Sequence, residues 1–442
     1  MRAGPIFALA VLASCKFTPQ GTGDAAPPDA GLCLSAPTSE CADDLTLREC
    51  VTINAQPIDT TCPWGCVDGN SDSHCGIVKP YGGGAMPADT DPDTFDGLDP
   101  VVLSGATIDG TAGTVSGVPG SGFDFSRRAG DTIGVFRFKS LTIDGPVRLA
   151  GNAAIVLVAD GPIIVSALIN ARGDCTFDNG ATDPGPGGFA GGTEAIDNGL
   201  GPGGGTVGTA KSGGGGGGHG AIGGQGGPIP LGAQGGAGGI ANGMVTIDML
   251  VGGSGGGATA GAGGHARGGG GGGAIQLVSN TRIELAAGGA IDAGGCGGDS
   301  GKGGGEDGGG GGGAGGAILL EAPVITGAGK LAVNGGGGGA GDDSDIDNMR
   351  PTGFGEAGRL DRVAAVGAVG SVTGAGGGVG GAAASFKGEQ GISSPVHAGG
   401  GGGAVGRIRL DTRLGTVTTT GDMSPGLGDP GSTCTAGPAR VE

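Results

Sequence analysis

Apolar residues along this chain recur in short stretches with β-strand alternation. The clearest unit runs Ala274-Ile275-Gln276-Leu277, then Ile283-Glu284-Leu285, then Ala290-Ile291-Asp292-Ala293. A second copy is Ala317-Ile318-Leu319-Leu320, Val324-Ile325 and Lys330-Leu331-Ala332-Val333. An earlier copy is Ala154-Ile155-Val156-Leu157, Ile163-Ile164-Val165 and Leu168-Ile169-Asn170-Ala171. The last is Arg407-Ile408-Arg409-Leu410 with Thr416-Val417-Thr418. Each full copy places three apolar stretches in roughly 20 residues, with Gly, Asn or Asp between them, which is strand periodicity with turn punctuation. A unit this small cannot bury its own apolar face, whereas stacked copies can. The pattern therefore predicts an all-β fold, a parallel β-helix-like solenoid over 101–442, with 101–150 supplying further strands.

Glycine tracts lie between the copies, at Gly213–Gly218, Gly268–Gly273, Gly308–Gly313, Gly335–Gly339 and Gly399–Gly403. Three of them lead into a first strand: Gly268–Gly273 before Ile275, Gly308–Gly313 before Ile318, and Gly399–Gly403 before Ile408. A random linker has no reason to keep that register, so the tracts are expected to be glycine-rich excursions from one corner of the stack. Polyglycine can form polyproline-II (PPII) helices that bond to their neighbours. Composition alone leaves the packing of the tracts open, because 117 Gly and 25 Pro in 442 residues fall in the low-complexity range. No Gly-X-Y period is present, which excludes collagen.

Four shorter regions precede the solenoid. Residues 1–14 carry Arg2 and the apolar run Ile6–Ala13, about 12 Å long as a helix and too short to span a ~30 Å bilayer core. This order is that of a secretory signal peptide. Residues 15–31 read as a Pro/Gly-rich tether. Residues 32–78 hold Cys33, Cys41, Cys50, Cys62, Cys66 and Cys75, a module too small to fold without disulfides, whose pairing sequence cannot choose. Trp64, the only tryptophan, is expected to cover one of these bonds. Residues 79–100 read as a solvated acidic linker. Asp89, Asp91 and Asp93 start like a calcium loop, but Thr94 and Pro100 stand where such a loop needs Gly and Glu. Asp343, Asp345 and Asp347 repeat the alternation inside a glycine-rich loop.

Leu12-Ala13-Ser14-Cys15 resembles the lipobox of bacterial lipoproteins, matching it at all four positions. The resemblance implies cleavage before Cys15, a diacylglycerol thioether on that cysteine, and acylation of the new amine. Several acyl chains give stable anchoring where one is marginal. Lys16, rather than the Asp that often retains such proteins at the inner membrane, implies the outer membrane or cell surface of a Gram-negative bacterium. The glycine-to-strand junctions, with Gly294-Gly295 and Gly335-Gly336, resemble those of glycine-rich, β-helix-like surface proteins of Gram-negative bacteria over roughly residues 140–422. That resemblance implies an adhesive or structural role.

The net charge of −19 opposes nucleic-acid phosphates and anionic lipid, so nucleic acid is not an expected partner. The partners expected are the membrane, through the lipid anchor, and polysaccharide or other cell-surface proteins. Ten cysteines on an exported chain imply disulfides. Cys175 and Cys296 both fall just past a third strand, at one corner of the proposed stack, and are the expected pair, leaving Cys434 free. The competing reading joins Cys434 to either of them. No metal, cofactor or catalytic constellation is expected. Gly252-Gly253-Ser254-Gly255-Gly256 fits G-x-S-x-G but lacks the strand and helix of a nucleophile elbow. His219, His265 and His397 read as isolated loop residues. The candidate carboxylates and amides of the repeat, Asp160, Asn170, Glu284, Asp292, Glu321 and Asn334, read as turn positions. The expectation is an exported, non-enzymatic surface lipoprotein. The rivals are a carbohydrate-active β-helix enzyme and a largely disordered glycine-rich coat. Cys15→Ala is expected to abolish acyl labelling and to release the protein from the membrane fraction; labelling that persists in the variant contradicts the anchor.

Overall fold

The computed structural model describes residues 32–69, 72–176, 182–209, 211–260, 266–301, 307–341, 353–371 and 374–442. The signal segment, Cys15 with the tether, His265 and the Asp343, Asp345 and Asp347 alternation lie outside them. The described chain is nearly all sheet, with single short turns of helix at Pro87–Thr90, Pro92–Phe95 and Gly120–Gly122.

Three sheets built mainly of parallel strands carry the repeat. Sheet one contains Ile133–Phe138, Ala154–Ala159, Ala274–Ser279, Ala317–Glu321, Arg407–Thr412 and Cys434–Pro438 in neighbour order. Sheet two contains Leu141–Ile143, Ile163–Val165, Ile283–Leu285 and Ile325–Gly327, and sheet three Val147–Ala150, Leu168–Asn170, Ala290–Asp292 and Lys330–Ala332. The chain visits sheets one, two and three in turn and returns to sheet one a strand further on. Equivalent residues of each copy are register partners: Ile155 with Ile275, Ile275 with Ile318, and Ile318 with Ile408. Inward ladders such as Phe136, Leu157, Leu277, Leu320 and Leu410 are fully buried in one apolar core. The short antiparallel strands Asp124–Arg128 and Thr114–Val115 end sheets one and three.

The glycine segments are packed against one another. In 307–316 the direction of the backbone bond turns with a period of three. Gly309, Gly312 and Gly315 donate to Ala398, Gly401 and Ala404; Gly310, Gly313 and Gly316 donate to Asp299, Cys296 and Ala293; Gly311 and Ala314 donate to Gly257 and Ser254. The same segment accepts from Gly269 and Gly272, from Gly336 and Gly339, and from Gly214 and Gly217. Six neighbouring segments thus surround it. Packing this close leaves no room for a side chain at the glycines: a Cβ on Gly311 would lie 2.0 Å from the Gly215 carbonyl oxygen, and one on Gly313 2.0 Å from that of Gly270. The tracts 268–273, 307–316 and 399–406 run straight into sheet-one strands, so this layer continues one corner of the three-sheet stack.

In the small module the pairs are Cys33–Cys50, Cys41–Cys66 and Cys62–Cys75. Cys175 is joined to Cys296, with Cα atoms 5.0 Å apart, and the strands before them pair directly, Ile169 with Ile291. Cys434 is the one free cysteine among the described residues and is buried.

Residues 79–100 correct the expectation of a solvated linker. They form a strap across the outer face of sheet one, with Phe95 fully buried among Val135, Val156 and Val278. Asp89 is 1% exposed; it accepts the Met86 N–H and contacts Arg128 at 2.9 Å and Arg137 at 2.5 Å. Asp91 accepts the Asp93 N–H at the start of Pro92–Phe95. Trp64 packs into the same outer cluster, so its ring seals the joint between module and sheet rather than only a disulfide. The carboxyl terminus completes the joint: Ile77 donates to Glu442, Glu442 donates back to Ile77, and Lys79 donates to Arg440.

Gly311→Ala is expected to destabilise the protein by about 3 kcal/mol or more, because its Cβ must displace backbone. Gly428→Ala, at an exposed glycine with nothing within 4 Å of the added atom, is expected to be near neutral. Urea denaturation of the two variants checks the difference.

Candidate functional site

The most polar buried cluster lies on sheet one beneath the strap. Alternation points Gln276, Glu321, Arg409 and Asp411 outward from that sheet, while Leu277, Leu320 and Leu410 point into the core. Glu321 and Asp411 are register partners on adjacent strands. The Gln276 amide nitrogen donates to Glu321 Oε2 at 2.6 Å and to the Tyr81 carbonyl at 3.0 Å, and the Tyr81 N–H donates to Glu321 Oε1 at 2.9 Å. Arg409 contacts Asp411 at 2.6 Å, and the Arg440 guanidinium stacks 3.6 Å over the Tyr81 ring. Burial pushes the Glu321 carboxyl up to about 7, against the pull of its hydrogen bonds from Tyr81 and Gln276. Burial likewise pushes Asp411 up to about 6, against its bond to Arg409. Glu321 has no exposed surface. The cluster ties the strap to the sheet and presents no carboxylate to a substrate.

The other candidate residues are spread over different faces. Glu284 is on sheet two beside Arg282 at 3.7 Å. Asp292 and Asn170 are register partners on sheet three, where Asp292 is buried and contacts Arg172 at 3.3 Å. Burial raises the Asp292 carboxyl above its ordinary value. Asp160 holds Lys139 at 2.7 Å. Asn334 is buried, donating to the Arg359 and Asp361 carbonyls and accepting from Ser424. Asn170 and Asp292 are thus neighbours on sheet three, while Glu284 lies on sheet two, Glu321 on sheet one and Asp160 beside Lys139.

The histidines correct the loop reading. His219 is buried inside the glycine layer, with Nδ1 2.9 Å from the Gly315 carbonyl, and burial holds it down to about 4. His397 is also buried, but at the opposite end of the segments, beside Gly341 and Gly374. Roughly eight residues of extended three-fold chain, on the order of 25 Å, separate the two. Ser254 is buried, its Oγ accepting the Gly203 N–H at 3.0 Å, so the G-x-S-x-G match is a lattice segment and not an elbow.

Two open clefts adjoin the glycine layer. One of about 350 Å³ lies between Gly82–Gly83, Ile133, Phe189 and Met249 and is mainly apolar. The other, of about 280 Å³, gathers Arg148, Arg172, Asp174 and Asp183. Both could admit a small ligand by size, and neither contains a nucleophile with an adjacent base. Among the described residues no three His, Cys, Asp or Glu side chains are grouped to hold a metal ion, and no helix is long and apolar enough to cross a membrane. No protein-family model, curated protein or solved structure matches the chain.

Sequence reading named Glu321 but missed Gln276, Asp411 and the Tyr81 strap that join it. The available signal was polar residues at outward strand positions among apolar neighbours. A raised carboxyl pKa means that the folded state holds its proton more tightly than the unfolded chain. Stability from Glu321 and Asp411 is therefore full below about pH 4 and lost as pH rises toward about 7. Urea unfolding at pH 4.5 and 8 is expected to show a loss of up to about 3 kcal/mol from Glu321, and Glu321→Gln should shrink that loss while leaving the part due to Asp411. An unchanged pH profile in the variant would contradict the assignment.

Proposed function

We propose that the chain is an exported surface lipoprotein with a non-enzymatic, structural or adhesive role, its three sheets forming a parallel β-helix-like solenoid flanked by PPII-type glycine segments. The observation that carries this reading is the six-neighbour packing around 307–316. Segments bonded laterally in every direction make a stiff body without aromatic side chains, and a body of that kind suits a surface exposed to stress. The cyclic path through three sheets, with equivalent isoleucines in register, supports the solenoid. The period of three supports PPII geometry, which has three residues per turn. Lipid at Cys15 supplies the anchor, and the pairing of eight of the nine described cysteines, all but Cys434, suits an oxidising compartment. The separation of Glu284, Asp292 and Glu321 on three sheets favours this reading over a polysaccharide lyase or hydrolase, which needs carboxylates at one bond.

The mature chain is expected to leave a panel of acidic and neutral polysaccharides undegraded, read as polymer size before and after incubation. Depolymerisation that disappears on Glu284→Gln, Asp292→Asn or Glu321→Gln would overturn the non-enzymatic reading.

A further inference from the structure

Segments at the rim of the glycine layer carry side chains on the side where the described chain gives them no neighbour. Three of them, 363–371, 374–382 and 386–392, lie next to one another. Gly377 and Gly380 donate to Ala368 and Ala365, and Glu389 and Ile392 donate to Val379 and Gly376. Behind the middle segment are 335–341 and 399–403: Gly338 donates to Gly378, while Gly378 and Gly381 donate to Gly400 and Gly403. These bonds set Val366 abreast of Val379 and Glu389, and Val369 abreast of Gly376 and Ile392. A Cβ added to Gly376 would lie 3.4 Å from Ile392 Cδ1, so the Ile392 side chain lies along this face. With three residues per turn and about 3.1 Å rise per residue, Val363, Val366 and Val369 recur on one side about 9.3 Å apart. Val366 is 48% exposed, Val369 70% and Ile392 58%, whereas Ala365 and Ala368 are buried. The face is therefore corrugated, with apolar ridges running across the segments and grooves floored by backbone between them.

We propose that this face binds its counterpart on a second copy of the chain, the ridges of one copy lying in the grooves of the other. Period argues for that occupant. Grooves that repeat about every 9.3 Å are filled best by ridges with the same repeat, and the same face supplies them. Charge argues for it as well. Copies of a chain with net charge −19 repel one another. From 363 to 392 the only charged side chains are Lys387 and Glu389, one of each sign and both on the outermost segment. Two copies can thus meet here over a neutral centre, with the charges left in water at the rim. Three segments about 25 Å long and about 4.8 Å apart offer on the order of 400 Å² per copy, half of a standard interface, so the pairing is weak and reversible. The inference rests on the three-fold geometry proposed above and not on acylation of Cys15. It gives the structural role a means of joining one copy to the next.

The test is sedimentation velocity of the full mature chain with Cys15→Ala, so that acylation plays no part, from about 20 µM to about 1 mM, the range for an interface this small. The mass is expected to rise toward that of a dimer, and Val366→Lys/Val369→Lys to need roughly tenfold more protein for the same rise. Both positions are exposed, and an unchanged thermal midpoint verifies that the variant is folded; if the double lysine unfolds the chain, Ile392→Lys on the third segment takes its place. A monomer at every concentration, or a dimer unaffected by lysine on this face, would overturn the proposal. So would flotation with phosphatidylcholine vesicles that the lysines abolish, because lipid would then be the occupant. Amide exchange over 374–382 reports separately on the segment packing: slow exchange in a protein that stays monomeric would refute the pairing and leave the three-fold geometry standing.

Discussion

The structure depends on one constraint: backbone hydrogen bonds that run sideways in every direction, at a separation that leaves no space for a Cβ at the glycine positions. In a sheet each strand bonds to two neighbours, and its side chains leave through the two free faces. In the segment 307–316 the bond direction rotates with each residue, so no face stays free, and apart from Asp307 at its start only one position, Ala314, carries a side chain, a single methyl. Glycine is required there by space, not by backbone angle. None of Gly308 to Gly313 has a positive φ, yet a Cβ on each would come within about 2.3 Å of a neighbouring carbonyl oxygen. Glycine loses more backbone entropy on folding than alanine, by roughly 0.5–1 kcal/mol per residue. A net hydrogen bond returns a similar amount, so an isolated segment would be marginal and only the assembled layer holds.

The same bond explains why the layer and the sheets form one body. Parallel strands stand about 4.8 Å apart because an N–H···O=C bond sets that distance. Glycine segments joined by the same bond can therefore continue strand after strand without a change of spacing. Gly272 bonds to Ala314 and Gly315 to Ala404, just before Ile275, Ile318 and Ile408 come into register. The apolar core under the sheets and the hydrogen-bonded layer beside them thus stabilise each other through a shared register. The Cys175–Cys296 bond fixes that register where the longest excursion leaves the stack.

Much of this was legible in the chain. The strand copies, the three tracts that run into first strands, and the corner position of Cys175 and Cys296 all follow from spacing. The strap was not legible. Its aspartates suggest solvent, and the Arg128 and Arg137 partners that neutralise Asp89 are some forty residues away with no local signal. Phe95, a single aromatic residue in an acidic stretch, was the cue to a buried segment. Glu321 was named, but as a turn residue, because nothing near it in sequence announces the Tyr81 backbone that covers it. His219 was read as a loop residue for the same reason: its partner, Gly315, belongs to a segment ninety-six residues later.

The central claim, that the glycine tracts are laterally bonded and not free chain, is tested most directly by amide hydrogen exchange on peptides covering 213–218, 308–313 and 399–403. The account predicts protection comparable to that of Ala274–Ser279 and Ala317–Glu321, with the central tract 308–313 among the slowest. Exchange of these tracts at the rate of an unstructured peptide, while the strands stay protected, would contradict it.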